Sequence, residues 1–163
     1  VLAGIPRMFS FVAKEAFRNT FLTGLPLKRL HTRFVERFDT QQSIVYVEAL
    51  ARDAQQEPAL FFFPEGTFTR VTGLRSFRMG AFITAAQADM PVVPVSIKGT
   101  RSILRGRRWV PRRGSISITV GEPLMPEVTA DGDREDKWHA AVNLRDRSRE
   151  HILRHCGEPD LLH

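Results

Sequence analysis

The sequence predicts an α/β fold, a mixed and largely parallel sheet flanked by helices. Three observations lead there. Segments with a strand pattern alternate with segments of helical spacing along the chain. Residues 59–63, ALFFF, form an unbroken apolar run, the pattern of a strand covered on both faces. Residues 114–123 alternate Ile116, Ile118 and Val120 with Ser115, Ser117 and Thr119, the pattern of a half-exposed strand.

The elements follow in order. Alternation from Met8 predicts a short strand ending near Ala13. Lys14 to Phe21 read as a short helix, with Phe17 and Phe21 four apart, and TGLPL breaks it. Residues 32–38, TRFVERF, alternate again and read as a strand. Thr40 to Gln55 carry Ile44, Val47, Leu50 and Ala51 at helical spacing. Pro58 then leads into the apolar strand at 59–63. Residues 69–80, TRVTGLRSFRMG, read as loop. Residues 80–89 are Ala-rich and helical, stopped by Pro91. A strand is expected at 92–99, with Pro94 marking an edge or a strand end. Residues 133–156 form a C-terminal helix, with Trp138, Val142, Leu144 or Arg145, and Ile152 as its apolar side and many paired charges. The division expected is a core at 1–128 and a C-terminal helix and tail at 129–163.

Composition narrows the class. The 163 residues suit one domain, and 42% hydrophobic residues can fill a core. No window approaches the roughly 18 apolar residues of a membrane span. The single cysteine, Cys156, excludes an internal disulfide and a Cys-rich zinc site, and no metal is indicated. The net charge of +6 favours anionic partners. The charge is concentrated in Lys98, Arg101, Arg105, Arg107, Arg108, Arg112 and Arg113, with no acid among them. That run suits either a solvated basic loop or, with Ile103, Leu104 and Trp109 interleaved, an anionic membrane surface. The chain opens at Val1 inside an apolar run, VLAGIPRMFSFVAK, so it is expected to be an N-terminally truncated piece of a larger protein.

The stretch most suggestive of chemistry is Phe63-Pro64-Glu65-Gly66-Thr67. Ligands in open α/β sheets bind outside the carboxyl ends of the strands. Pro64 stiffens the exit from the strand, Gly66 permits a turn or a close approach, and Glu65 and Thr67 offer an acceptor and a hydroxyl. A plain turn with a solvated glutamate explains the same residues.

FFFPEGTFTR resembles the third conserved block of the lysophosphatidic acid acyltransferase (1-acylglycerol-3-phosphate O-acyltransferase) family of glycerophospholipid acyltransferases. RFVERFD at 33–39 resembles the second block, and MPVVPVSIKGTR at 90–101 the fourth. FRMGAF at 77–82 and VGEPL at 120–124 resemble intervening and closing stretches. The resemblance covers roughly residues 6–126. It implies that Arg37 binds the phosphate of the acyl acceptor, for which a guanidinium fork is suited. It implies an acceptor pocket from Phe63, Pro64, Glu65, Gly66 and Thr67, with Glu65 touching a glycerol hydroxyl or holding a neighbouring loop. Pro94 and Val95 would shape the acyl-chain side, and Lys14 and Arg78 would add positive charge near the phosphate. Phe68 stands where many relatives have an arginine, and Arg70 follows two residues later. The implied reaction moves a fatty acyl group from a thioester cosubstrate, acyl-CoA or acyl carrier protein, to a lysophospholipid hydroxyl. No cofactor is implied.

The family's first block, His-x4-Asp, supplies the general base. It is expected upstream of Val1, so no catalytic residue is assigned within the chain and the chain by itself is expected to be inactive. His155 to Asp160 has the spacing of that block, and His31 to Glu36 a similar one, but neither lies in the right place. His139 and His151 read as polar positions on the last helix. The substrates are amphiphiles, which implies a peripheral enzyme at the cytoplasmic face of a membrane. The N-terminal phenylalanines, Phe9, Phe11, Phe17 and Phe21, suit a membrane face or a core equally. Two other classes fit less of the sequence. One is a non-catalytic remnant that binds lipid or anionic surfaces. The other is a nucleic-acid-binding module, for which no recognition motif is present.

Overall fold

The computed structural model describes residues 10–14, 33–35, 59–66, 71–103, 112–128 and 133–162. Strand β1 is Ser10–Lys14, β2 is Arg33–Val35 and β3 is Leu60–Phe61. They pair in the order β2-β1-β3. Both pairings are parallel: Val12, Ala13 and Lys14 face Arg33, Phe34 and Val35, and Ser10 and Phe11 face Leu60 and Phe61. Helix α1 is Gly80–Ala88, β4 is Val95–Lys98, α2 is the single turn Thr100–Ile103 and β5 is Ser117–Val120. Helix α3 is Arg134–Cys156. Strands β4 and β5 are antiparallel, with Val95 opposite Val120 and Lys98 opposite Ser117.

One continuous mixed sheet was expected. The described strands form two sheets instead, a three-stranded one and a two-stranded one. Lys14 was expected to begin a helix and is the last residue of β1. Residues 15–21 of the first expected helix, all of the helix expected at 40–55, and Arg105, Arg107 and Arg108 of the basic run lie outside the described residues. The apolar strand at 59–63 is hydrogen-bonded only at Leu60 and Phe61, because Phe63 already opens a turn. Strand β4 starts at Val95 rather than 92, since Pro94 has no N–H for a ladder. Helix α2 was read as loop, and four residues carry too little periodicity to be seen.

The core lies between α1 and α3. Leu74, Phe77, Phe82, Ala85 and Ala86 pack with Ala140, Ala141 and Leu144, so it draws on both sides of the division expected at 128. The Phe77 and Phe82 rings stack with centroids 6.3 Å apart. Alanines at the contact let the two helices approach closely. Helix α1 ends where Asp89 takes the left-handed conformation, which a short polar side chain tolerates, and Pro91 prevents its continuation. Asp133 caps α3, its carboxylate accepting from the N–H groups of Glu135 (2.8 Å) and Asp136 (3.0 Å).

Sequence periodicity read the buried face of α3 only in part: Leu144 is fully buried and Ile152 packs against the core. Trp138 is 48% exposed, and the buried side is Ala140, Ala141, Leu144, Ser148, Arg149 and Cys156. Ala140, Ala141 and Ser148 are small, so a reading weighted by large apolar side chains named Leu144 and missed them.

Candidate functional site

Parallel pairing sets the frame of the site. Lys14 ends β1 opposite Val35, which ends β2, and β3 leaves on the same edge to enter Phe63–Gly66. Register alone therefore brings Lys14, Val35 and the Pro64–Gly66 turn to the carboxyl edge of these strands, where open α/β sheets bind ligands. Arg37, Thr67 and Arg70 lie outside the described residues.

Sequence explains the turn. The Gly66 N–H donates to the Phe63 carbonyl at 2.9 Å, closing a four-residue turn with Pro64 at its second position. Proline pre-sets the backbone angle that position needs. Gly66 has φ +64, a conformation that favours glycine. It is also a place of close approach: a Cβ built there would lie 2.6 Å from both Cδ and Nε of Arg78. The exposed Arg78 side chain thus runs directly across Gly66.

The loop after the turn folds back over it. The Arg78 N–H donates to the Pro64 carbonyl at 2.8 Å. The Arg75 N–H donates to Glu65 Oε2 at 3.2 Å, and Glu65 Oε1 accepts nothing from the described residues. Glu65 is half-buried, so its carboxylate is fixed on one side and open on the other. Phe63 is 60% exposed beside the corner, with Phe61 behind it at a ring separation of 5.6 Å. The site thus combines a positioned carboxylate, a guanidinium stem laid over a glycine and an exposed aromatic ring. Such a set can accept from a hydroxyl, attract an anion and line an apolar chain.

Pro94 belongs to a different neighbourhood among the described residues. It is buried, its carbonyl accepts from the Gly121 N–H at 2.8 Å, and with Val120, Leu124, Arg147 and His151 it lines a groove of about 390 Å³ between the β4–β5 pair and α3. His151 there holds a proton less readily than an ordinary histidine, first because of burial and then because of His155 and Arg154. The spacing of His155 and Asp160 produces no dyad like that of the family's first block. His155 Nδ1 meets the His151 carbonyl at 2.7 Å, and the Asp160 carboxylate is held by Arg149.

Sequence reasoning missed the residues that hold the loop. Arg149 Nε and Nη2 donate to the carbonyls of Arg75 (3.4 Å) and Leu74 (3.2 Å). Glu158 accepts from the Gly73 N–H (2.8 Å) and from Arg101 Nε (2.9 Å). No local signal marks these residues, because each contact joins segments far apart in sequence.

Residues 1–98 match the model of the acyltransferase family. The chain belongs to this family. The resemblance read from its conserved blocks is borne out. A chloroplast 1-acyl-sn-glycerol-3-phosphate acyltransferase of Arabidopsis thaliana is 25% identical over 124 residues, 76% of this chain and 35% of that protein. The enzyme of that name from Saccharomyces cerevisiae is 28% identical over 118 residues, 71% of this chain and 39% of that protein. The chain therefore spans between a third and two fifths of the length of these relatives. The crystal structure of the 1-acyl-sn-glycerophosphate acyltransferase of Thermotoga maritima superposes with a TM-score of 0.58 at 22% identity, covering 88% of this chain and 56% of that one. That likeness establishes the acyltransferase fold. Among the described residues no helix is long and apolar enough to cross a membrane, and no cluster of metal-ligating side chains occurs.

Proposed function

We propose that this chain forms the acyl-acceptor side of a lysophosphatidate acyltransferase. The reaction transfers a fatty acyl group from a thioester, acyl-CoA or acyl carrier protein, to the free hydroxyl of 1-acylglycerol-3-phosphate. The acceptor oxygen attacks the thioester carbonyl and gives its proton to a base. The tetrahedral intermediate then expels the thiolate, which leaves as the thiol after protonation, and the ester remains. The base is the histidine of the family's first block. No metal or cofactor enters the reaction.

The observation that carries this reading is the corner at the carboxyl edge of the parallel strands, inside the family-matched segment. Glu65 is tied by one oxygen to the Arg75 N–H and offers the other to a glycerol hydroxyl. Arg78, lying across Gly66, supplies positive charge for the acceptor phosphate, joined by Arg37, Lys14 and Arg70 from neighbouring segments. Thr67 completes the rim, Phe63 meets the acyl chain, and Pro94 shapes the donor side. Both substrates are amphiphiles, so the protein works as a peripheral enzyme at the cytoplasmic face of a membrane.

The test is thiol release from an acyl thioester by the complete protein, with 1-acylglycerol-3-phosphate and with its dephosphorylated counterpart as acceptors. Arg78→Ala should raise the acceptor KM roughly 10- to 100-fold, the value of a hydrogen bond to a charged group, and should affect only the phosphorylated acceptor. Equal use of both acceptors by the wild type, or an unchanged KM in the variant, would sink the assignment.

A further inference from the structure

The acceptor corner is held from the far end of the chain. After α3 ends at Gly157, the tail runs beside the loop that follows the Pro64–Gly66 turn, with Leu74 and Asp160 bridged in parallel. The Leu74 N–H donates to the Pro159 carbonyl at 2.8 Å, and the Leu161 N–H returns to the Leu74 carbonyl at 3.1 Å. Gly73 sits under Leu161 so tightly that a Cβ there would lie 2.4 Å from Leu161 Cγ, and its φ of +134 suits glycine alone. Arg149 is 8% exposed and gives both arms of its fork to Asp160, with Nη1 3.0 Å from Oδ2, while Nη2 also reaches the Leu74 carbonyl. Arg101 adds a second clamp, to Glu158 and, at 3.3 Å, to the Val71 carbonyl. Backbone groups of Val71, Gly73, Leu74 and Arg75 are thus bound by α2, by α3 or by the tail. Arg75 is the residue whose N–H fixes Glu65.

We infer that Arg149 and Asp160 are positioning residues for acceptor binding, acting through the backbone of Leu74 and Arg75 on the Glu65 carboxylate. The tail at 157–162 is then a strap over the acceptor loop. It lies beyond the family-matched residues 1–98, so the corner is supported from outside the segment that carries the family's blocks. The inference rests on the reading of Glu65 as an acceptor contact. A buried guanidinium fork suits the task because it fixes direction as well as distance, and a lysine in its place would keep the charge and lose the geometry. A displacement of about 1 Å takes a hydrogen-bond acceptor out of its favourable range of roughly 2.5–3.2 Å and so weakens acceptor binding.

The experiment uses the complete protein and four variants: Asp160→Asn, Arg149→Lys, the milder Leu161→Ala, which removes no buried charge, and Glu65→Gln. Amide exchange at Arg75 should quicken about 10-fold in the strap variants, while exchange within 80–88 stays as in the wild type. Acceptor KM should rise about 10-fold with kcat changed less than about twofold, and Asp160→Asn should add nothing in a Glu65→Gln background. Should Asp160→Asn fail to fold, Leu161→Ala carries both measurements. Unchanged exchange at Arg75 overturns the strap whatever the chemistry of the site. Quickened exchange with an unchanged KM, or additive effects of Asp160→Asn and Glu65→Gln, leaves a structural strap without the positioning role and overturns the inference. An unchanged acceptor KM in Glu65→Gln alone overturns the functional reading, and with it the link from strap to acceptor.

Discussion

Replacing Gly66 by alanine separates two costs that the structure superimposes at one residue. The first is conformational. Gly66 has φ +64, and an L-residue held in that region costs about 1–2 kcal/mol. For a domain of this size, 1 kcal/mol lowers Tm by roughly 2–4 °C, so the variant should melt about 2–8 °C lower. The second cost is steric and falls on function. The new Cβ would stand 2.6 Å from Arg78 Cδ and Nε, and ordinary contact begins at 3.4 Å, so the arginine must retreat by about 0.8 Å. Arg78 is exposed and flexible, so its retreat adds little to the loss of stability but moves the guanidinium that serves the acceptor phosphate. The assay is thermal melting together with acceptor KM for Gly66→Ala, Gly66→Asn, Arg78→Ala and the pair Gly66→Ala with Arg78→Ala. Asparagine tolerates the left-handed region, so Gly66→Asn should recover much of the melting loss while keeping the KM defect. The pair should show the KM of Arg78→Ala alone, because the displaced group is already gone. A Gly66→Ala protein that melts with the wild type, or a KM defect that adds to that of Arg78→Ala, would refute the reasoning.

Three further predictions concern the scaffold. Leu144 is fully buried at the α1–α3 contact, and Leu144→Ala should cost about 2–5 kcal/mol, read by denaturant unfolding at unchanged m-value. Asp133→Ala removes the carboxylate that caps α3 and should cost about 1 kcal/mol, with a matching fall in Tm and little effect on acceptor KM. The folded pKa of His151 lies below the ordinary 6.5, first because of burial. The unfolded chain therefore binds the extra proton, and the stability held by the neutral ring is present above pH 6.5 and lost as pH falls from there through the folded value. Wild-type Tm should fall more steeply than that of His151→Gln between pH 7.5 and 5.5, and parallel slopes would contradict the burial argument.

The parts of the fold legible in the sequence were those written in local period and punctuation. Helix α1 was placed within one residue at its end because an Ala-rich run meets Pro91. Helix α3 was placed because charge pairs and helical spacing run from Asp133 to Cys156. Its buried side was legible only at Leu144 and Ile152, because burial follows the partner as well as the side chain. The close approach of α1 selects Ala140 and Ala141 beside Leu144, and leaves Trp138 outside. Sheet membership was misjudged for a related reason: pairing is a long-range choice, and alternation in 114–123 announces a strand without naming its neighbour.

At the site the same division holds, and it separates the motif from its support. Pro64 and Gly66 could be singled out because a turn favours proline at its second position and glycine at its fourth, and the structure closes it with the Gly66 to Phe63 hydrogen bond. Arg78 stood twelve residues from the turn, and only the close approach at Gly66 shows why an arginine there faces a glycine here. Arg149 and Asp160 had no signal at all. In sequence they were an ordinary helix cation and a tail aspartate, and Asp160 even suggested a false partner in His155. The burial of Arg149 against a half-buried Asp160 is what distinguishes them. A guanidinium and a carboxylate withdrawn from water need each other and every hydrogen bond available, and the carbonyls of Leu74 and Arg75 supply those bonds. The desolvation that makes the pair costly is therefore the same condition that ties the loop to it, so a group 84 residues beyond Glu65 can decide where that carboxylate points.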